Sequence, residues 1–402
     1  MVKSMQKQLN NFFRRFLNRR YRLRGQVRGF TLLELLIAMV MGVLIVGTLM
    51  TFVFSVADTD RQEAAKAASQ EEIQAALDYI ADDMREAVYI YDANGLNSAS
   101  AAVPGIRDSL PAFANTPTAD SGEPVLVFWK RYVYKSTDTV TTPNGQRLVA
   151  CLPHAVSTPT ANCTASDIFR YSLVAYYIVK SPNNAALARP WSNSARIVRF
   201  ELKDGISTGT GGRLPCVETV VASCPAVTTV SAIDYYVTPD TAFKLFSLSG
   251  SGTVSDQMNA WSAGGAWSAG SGFTLVDFID DTAYNATPYT PPVIIQDNTI
   301  VNANNSSPAT ATGCNGDNGT GSNITGSQRV PGTFNTTSPA ASLTSFYACV
   351  NSTNSVARIY IRGNALVRLN DNRAIKFPNA NNTPFLPTAN IQVYARGVLI
   401  PG

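Results

Sequence analysis

Residues 29–57 read GFTLLELLIAMVMGVLIVGTLMTFVFSVA, and this stretch decides how the chain folds. From 30 to 57 there are 28 residues with a single charge, that of Glu34. About 20 consecutive apolar residues are enough for a helix to cross a bilayer. The run is too long for an ordinary cleaved secretory signal, and no small-residue cleavage site follows it. The stretch therefore predicts a membrane helix that stays in the mature protein.

A basic leader precedes this run. Residues 1–29 contain no acid and nine basic residues: Lys3, Lys7, Arg14, Arg15, Arg19, Arg20, Arg22, Arg24 and Arg28. Basic flanks of membrane helices stay in the cytoplasm, so the rest of the chain is expected outside it. Removing these nine from the 32 basic residues leaves 23 against 28 acidic residues, a net charge of −5. A basic nucleic-acid-binding protein is therefore disfavoured.

The sequence after the apolar run becomes amphipathic. Apolar side chains recur at helical steps of three and four, at Ile73, Leu77, Ile80, Met84 and Val88. Charged residues, among them Asp82 and Asp83, are expected on the other faces. No proline occurs before Pro104. We expect one helix over about 30–90, with a transmembrane half at 30–57 and an amphipathic half at 58–92. A membrane anchor followed by a separate helix is the alternative.

The junction between leader and apolar run carries the sequence GFTLLE at 29–34. Together with the basic leader and the unbroken apolar run, it resembles the processing signature of type IV pilins and pseudopilins. The resemblance implies that a prepilin peptidase cuts after Gly29 on the cytoplasmic face. It also implies that the new N-terminal residue, Phe30, is N-methylated. A signal anchor with an incidental glutamate is the alternative.

Glu34 is costly in a membrane helix, by about 2.5–3.5 kcal/mol on insertion scales. A carboxylate persists there only if a cation pairs with it. Cleavage after Gly29 creates such a cation, the α-amino group of Phe30, and N-methylation leaves it charged. The pair can form within one helix or between neighbouring subunits of a filament. Glu34 is therefore the expected assembly residue.

Residues 71–95, EEIQAALDYIADDMREAVYIYDANG, resemble the outer half of the first helix in minor pilins and large pseudopilins. The residues that carry the resemblance are Asp78, Ile80, Asp83, Met84, Arg85 and Ala87. Thr51 stands where major pilins usually have a kinking proline, and 373 residues after the leader are many for a major pilin. With PVLVFWKR at 124–131 and YYIVKSPNN at 176–184, the chain looks most like the cyanobacterial hormogonium polysaccharide secretion pseudopilins.

The remainder predicts a polar linker at 93–123 and an extracytoplasmic β-rich domain at 124–402. Strand-like runs rich in Val, Ile, Tyr and Phe lie at 125–134, 147–152, 169–180, 195–202, 230–237, 242–248, 274–279, 345–350, 356–361, 365–369 and 391–400. Gly363 and Asn364 suggest a hairpin turn. Segments near 249–272 and 285–343 are expected to be loop insertions. The predicted fold class is α+β, a long N-terminal helix packed on an antiparallel sheet.

The six cysteines all lie beyond residue 150 and form no CxxC motif. An even number outside the cytoplasm predicts disulfides. Fifteen pairings are possible, and pairing of sequence neighbours is favoured: Cys151–Cys163, Cys216–Cys224 and Cys314–Cys349. Six free thiols are the alternative.

Other candidate sites are weak. Asp317, in a Gly- and Asn-rich loop, is the only acid available there for a calcium ion. Asp280 and Asp281 are adjacent, and adjacent residues of a strand point to opposite faces, which does not favour catalysis. The single histidine, His154, is expected in a surface loop. Trp261 and Trp267, if exposed, would offer faces for stacking on sugars. No catalytic residue, metal site or cofactor is expected.

The resemblance implies a structural minor subunit of a pilus-like secretion apparatus that supports hormogonium polysaccharide secretion and gliding. Implied partners are the prepilin peptidase, other pilins or pseudopilins, and the inner-membrane assembly platform with its ATPase; the exported polysaccharide is a further candidate. The expected location is a single pass of the inner membrane, with a periplasmic or filament-borne domain. An adhesive or DNA-uptake minor pilin and a membrane-anchored glycan enzyme are the alternatives. Arg329 is the only base in 285–343, which argues against DNA.

Overall fold

A computed structural model of the chain describes residues 30–97, 105–114, 119–142, 145–152, 166–182, 190–207, 235–267, 272–284, 292–296, 299–302, 327–332, 338–369 and 384–397. The chain divides into two compact units, one that ends at Asp60 and one that starts at Arg61. The long helix α1, Leu32–Arg85, contributes to both.

In the first unit, α1 is apolar on every side. Its large hydrophobic side chains from Leu32 to Val56 are all at least half exposed. The hydroxyl groups of Thr48 and Thr51 donate to carbonyl oxygens one turn earlier in the helix, those of Leu44 and Gly47, both at 3.1 Å. These hydroxyls therefore need no partner outside the helix. The helix is long and apolar enough to cross a membrane, which fits a single-pass anchor.

In the second unit, α1 buries one face. The buried residues are Ser69, Ile73, Ala76, Leu77, Ile80, Ala81, Asp83 and Met84. The expected continuation of the helix to about residue 90 was wrong, because α1 ends at Arg85 and Ala87–Ile90 form strand β1. Residues 88–91 read VYIY, and β-branched and aromatic residues favour a strand where a partner is available. Val88 is buried in this strand instead of extending the helical stripe.

Fifteen strands and three further short helices occupy the described part of the second unit. The helices are α2 Ala93–Asn97, α3 Val254–Asn259 and α4 Ala365–Leu369. The strands after β1 are β2 Ser121–Tyr134, β3 Thr139–Thr142, β4 Gly145–Leu148, β5 Ile168–Lys180, β6 Ala195–Lys203, β7 Ile206–Ser207, β8 Tyr235–Val237, β9 Gly272–Ile279, β10 Pro292–Gln296, β11 Thr299–Asn302, β12 Gln328–Val330, β13 Phe346–Asn351, β14 Val356–Arg362 and β15 Thr388–Tyr394.

Two larger antiparallel sheets dominate. The five-stranded sheet has the order β1-β2-β5-β6-β9, and the four-stranded sheet has the order β12-β13-β14-β15. Pairs β3-β4, β7-β8 and β10-β11 form separate two-stranded ribbons. The buried face of α1 shares one hydrophobic core with both larger sheets, and Phe128, Trp129 and Tyr176 are among its largest fully buried side chains. The predicted α+β fold is confirmed.

Three predicted strands were wrong. The run 147–152 is a strand only at its start, because β4 ends at Leu148 and Val149–Cys151 form a 3₁₀ turn. Residues 242–248 form a turn and an extended loop, since Phe243 and Phe246 pack edge-on against Trp129 instead of pairing in a sheet. Residues 365–369 form α4, and its first turn is capped because the Asn364 side chain accepts a hydrogen bond from the Leu366 amide at 3.1 Å.

Gly363 serves close packing instead of the expected hairpin turn. A Cβ atom at Gly363 would lie 2.6 Å from the Ser69 hydroxyl oxygen and 3.2 Å from a methyl group of Ile73. Only glycine lets this segment approach α1 so closely.

The expected linker and loop insertions contain regular structure. Residues 93–123 include α2 and a 3₁₀ turn at Ile106–Ser109, and β2 starts at Ser121. Residues 249–272 include α3, which begins with a capping box between Thr253 and Asp256. Residues 285–343 include β10, β11 and β12. Polar composition hid α3, because its capping residues Thr253 and Asp256 are themselves polar.

Candidate functional site: the N-terminal helix

The start of α1 is organised by Thr31. Its hydroxyl oxygen accepts a hydrogen bond from the Glu34 amide at 3.2 Å, and its carbonyl oxygen accepts one from the Leu35 amide at 3.1 Å. This is the N-cap arrangement expected of a T-x-x-E sequence. Glu34 lies in the first turn, where a negative charge interacts favourably with the helix dipole. Phe30, just before the cap, is 78% exposed, and Gly29 lies outside the described residues.

The first half of α1 presents an extended apolar surface. In the 18-residue window that qualifies as a membrane span, nothing is buried by the rest of the chain. Monomeric soluble proteins rarely expose apolar patches of this extent. A lipid environment, or the helices of neighbouring subunits, would cover this surface. The arrangement therefore suits a helix that anchors in a bilayer or packs in a helical bundle.

Near its other end, α1 is held to the main sheet by a buried carboxylate, Asp83. The two oxygens of this carboxylate accept four hydrogen bonds from three residues. Lys130 of β2 donates through Nζ at 2.6 Å, and Tyr176 of β5 donates through its hydroxyl at 2.7 Å. Arg199 of β6 donates through Nε at 2.8 Å and through a terminal nitrogen at 3.2 Å. One side chain thus ties the helix to three adjacent strands.

The charges of this cluster balance. Arg199 also donates to Glu201 at 2.8 Å, so in the buried part of the cluster two carboxylates face two cations. Glu86, 3.6 Å from Lys130, and Lys203, 3.9 Å from Glu201, add one charge of each sign at its edge. Burial by itself would raise the pKa of Asp83, but the hydrogen bond and charge of Arg199, together with Lys130, outweigh it and hold this pKa below its usual range. The pKa of Glu201 is likewise lowered, because Arg199 and Lys130 outweigh burial. Both carboxylates are therefore ionised in the folded protein.

Sequence reasoning placed Asp83 on the charged face of α1, and that placement was wrong. Asp83 follows Ile80 by three residues, which is the spacing of the buried stripe itself. Its neighbour Asp82 has a side chain that is 72% exposed, as expected for the charged face. The spacing was the available signal, since a single acid on an apolar helical stripe indicates a buried partner.

Further contacts fasten the same part of α1. Glu72 forms an ion pair with Arg368 of α4, and Lys66 lies 4.4 Å from the ring centre of Phe385. After β15 the chain returns to the end of α1, where the Arg396 amide donates to the Arg85 carbonyl oxygen at 3.1 Å. The amphipathic half of α1 is therefore an integral part of the second unit.

Two of the six cysteines lie among the described residues and bear on the predicted disulfides. Cys151, in a 3₁₀ turn, and Cys349, in β13, are disulfide-bonded. The pairing is not settled by these two, because Cys163, Cys216, Cys224 and Cys314 lie outside the described residues. Asp317 and His154 also lie outside them.

The remaining candidate residues have structural surroundings. Asp280 accepts a hydrogen bond from Arg362 at 2.8 Å and Asp281 pairs with Lys180, and both acids are fully buried. Trp261 is buried and donates to the Lys244 carbonyl oxygen, so the idea that it is exposed for sugar stacking was wrong. Among the residues that the structure describes, no group of three His, Cys, Asp or Glu side chains is placed to hold a metal ion.

Comparison with known protein families finds a match at the start of α1. Residues 24–50 match a family described as "Prokaryotic N-terminal methylation motif". No curated protein and no solved structure matches the chain. The chain therefore carries the N-methylation motif of prokaryotic type IV pilin-like proteins, and this motif indicates a structural subunit of the pilin or pseudopilin type. Such a motif implies processing by a prepilin peptidase and assembly with other pilins.

Proposed function

We propose that this chain is a minor structural subunit of a type IV pilus-like secretion apparatus. The observation that carries the proposal is the methylation motif at 24–50, which lies at the start of a helix whose apolar half is exposed on every side. A membrane-anchored enzyme would also need an apolar helix, so the motif is what favours a filament subunit, which uses this surface first in the membrane and then in the filament core.

Processing is the first step of the proposed mechanism. A prepilin peptidase cuts between Gly29 and Phe30, and the freed amino group of Phe30 is methylated. The product begins one residue before Thr31, whose side chain caps the helix. The basic leader, which holds the N-terminus in the cytoplasm during insertion, is thereby removed.

Assembly is the second step. Glu34 and the cationic amine of Phe30 lie one turn apart within a subunit. When two subunits meet, the amine of one helix can therefore pair with Glu34 of the other. This pairing offsets the insertion cost of the carboxylate and sets the axial position of each new subunit. The inner-membrane platform and its ATPase then move the helix out of the bilayer and into the filament.

The finer assignment is a pseudopilin that supports hormogonium polysaccharide secretion and gliding. Its support is the resemblance of 71–95 and of the strand segments at 124–131 and 176–184. The structure gives the first of these segments a physical role, because Asp83 within it joins α1 to β2, β5 and β6.

Cell fractionation tests the proposal. Filaments sheared from the cell surface and the inner membrane are each probed for the chain, in a wild-type strain and in a strain that lacks the assembly ATPase. We expect the protein in both fractions of the wild type and only in the membrane of the mutant. A protein confined to the membrane of both strains, with unchanged polysaccharide export after its deletion, would contradict the proposed role.

A further inference from the structure

An open cleft lies in the second unit. Its volume is about 1130 Å³, and its lining comes from β6, β9 and two loops, at 108–113 and 263–267. Pockets for organic ligands combine aromatic surfaces with a few polar groups at fixed positions. The cleft has both.

The floor of the cleft is one face of the main sheet. Arg196, Val198 and Phe200 alternate along β6 and line the cleft, as do their neighbours on β9. In the register of the two strands, Phe200 lies opposite Gly272. A Cβ atom at Gly272 would lie 2.5 Å from the Phe200 ring, so this glycine makes room for the ring on the floor.

Aromatic residues form rigid walls. The Trp267 indole nitrogen donates to the Ser109 carbonyl oxygen at 2.8 Å, which joins the two loops across the end of the cleft. The Trp267 ring meets Phe200 edge-on at 6.2 Å, and Phe113 does the same from the other loop at 6.1 Å. Trp191 lines the mouth and is 40% exposed. The small residues at 263–266 leave the space between these rings open.

A buried cation lies among these rings. Arg196 is only 6% exposed, and its terminal nitrogens donate to Ser181 at 2.6 Å and to Asp120 at 2.7 Å. Its Nε has no hydrogen-bond partner among the residues that the structure describes. This nitrogen is itself shielded from the cleft, so the guanidinium acts through its charge and by holding Asp120 in place. Asp108 adds a second carboxylate to the lining.

We infer that this cleft binds a neutral saccharide chain. A sugar ring has an apolar face of C–H groups, which stacks on an indole ring such as that of Trp191, and a rim of hydroxyls, which both donate and accept. The carboxylates of Asp108 and Asp120 accept from hydroxyls, so the polar groups of the cleft match the donors of that rim. Two carboxylates against one guanidinium leave a net negative charge, which disfavours uronic or sulfated chains. A purely apolar ligand would leave these charges desolvated without partners.

This inference rests on the cleft alone and does not depend on the proposed assembly role. Binding is measured by titration calorimetry on the purified full chain in a detergent without a sugar headgroup, because sugar headgroups would compete. The probes are cello-, malto-, laminari-, xylo- and mannohexaose, the anionic hexaguluronate, and a polyproline peptide. We expect saturable binding of at least one neutral sugar. Trp191→Ala should weaken it about tenfold, since one stacking platform is lost.

Tyr394→Ala is the matched control, because Tyr394 is an aromatic residue of β15 that is 61% exposed and does not line the cleft. This variant should bind as the wild type does, and thermal unfolding verifies that both variants fold. Three results overturn the inference: no neutral sugar binds the folded wild type at millimolar concentration, Trp191→Ala binds as well as Tyr394→Ala, or only the anionic sugar or the peptide binds.

Discussion

Asp82 and Asp83 are adjacent in the sequence but have opposite surroundings. Asp82 is exposed and pairs with Arg85 within the helix, whereas Asp83 is buried and accepts from three strands. Exposed pairs within a helix stabilise proteins little. Removing one member of a buried charge cluster is far more harmful, because the remaining charges keep their desolvation cost.

Asp83→Asn should therefore lower the free energy of unfolding by about 3 kcal/mol, because Lys130 and Arg199 lose the charge they share. Asp82→Asn is the control and should change stability little. The measurement is urea unfolding of the detergent-solubilised full chain, followed by the fluorescence of Trp129 and the other tryptophans. Equal effects of the two substitutions would contradict the role assigned to Asp83.

The same cluster predicts an acid dependence of stability. The pKa values of Asp83 and Glu201 are lowered in the folded state, so the unfolded chain takes up protons first as the pH falls. Their contribution is complete above the unfolded values, about 3.9 for Asp and 4.3 for Glu. It is lost as the pH falls through the lowered folded values.

Thermal unfolding between pH 6 and pH 3 measures this dependence. The stability difference between wild type and Asp83→Asn should shrink as the pH falls. A difference that stays constant down to pH 3 would show that the carboxylate charge does not hold the helix in place.

At the scale of elements, α1 changes its character along its length. Sequence periodicity predicted the apolar half and the stripe of Ile73, Leu77, Ile80 and Met84, because helical spacing is a local signal. It did not predict the end of the helix at Arg85. Val88 fits the helical spacing equally well, and only pairing with β2 makes 87–90 a strand. The partners of Asp83 were also out of reach, since they lie 47 to 116 residues away in sequence.

Among the strands, too, local sequence patterns predicted some elements, whereas caps and distant contacts decided others. The long runs that became β5, β6, β13 and β14 were predicted within about two residues. The run at 365–369 has the composition of a strand but follows a capping Asn364, and this cap decides for a helix. Local patterns therefore predicted the long elements, and caps and distant partners decided the short ones.

Glu34 carries the prediction for α1 as an assembly element. Glu34→Leu should insert and be cleaved as the wild type is, because it removes a charge from the apolar run and leaves Gly29 intact. It should fail to enter the filament, because a neighbouring amine loses its counter-charge. Immunoblots of sheared filaments and membranes measure both steps. Glu63→Leu, an exposed acid of α1 outside the apolar run, is the control and should assemble.

Two outcomes would change this interpretation. Filaments that contain Glu34→Leu at wild-type levels would show that the glutamate has no role in docking. Accumulation of uncut precursor would move its role to recognition by the peptidase.

At the scale of the whole molecule, covalent links are expected to reinforce the second unit. We predict the disulfides Cys151–Cys163, Cys216–Cys224 and Cys314–Cys349, each of which closes a loop and stabilises by about 2–4 kcal/mol. Peptide mapping under non-reducing conditions identifies the pairs. Alkylation of all six thiols in the native protein would contradict disulfides altogether, and crossed pairs would contradict the pairing of sequence neighbours.

The central claim is that the chain is processed and assembled as a pilin-like subunit, and the mature N-terminus tests it most directly. Mass spectrometry of the protein purified from membranes should find Phe30 as the first residue, with a methyl group on its α-amino nitrogen. Gly29→Leu, which places a side chain at the cleavage site, should yield only the precursor. A mature pool that retains residues 1–29 in the wild type would contradict the claim.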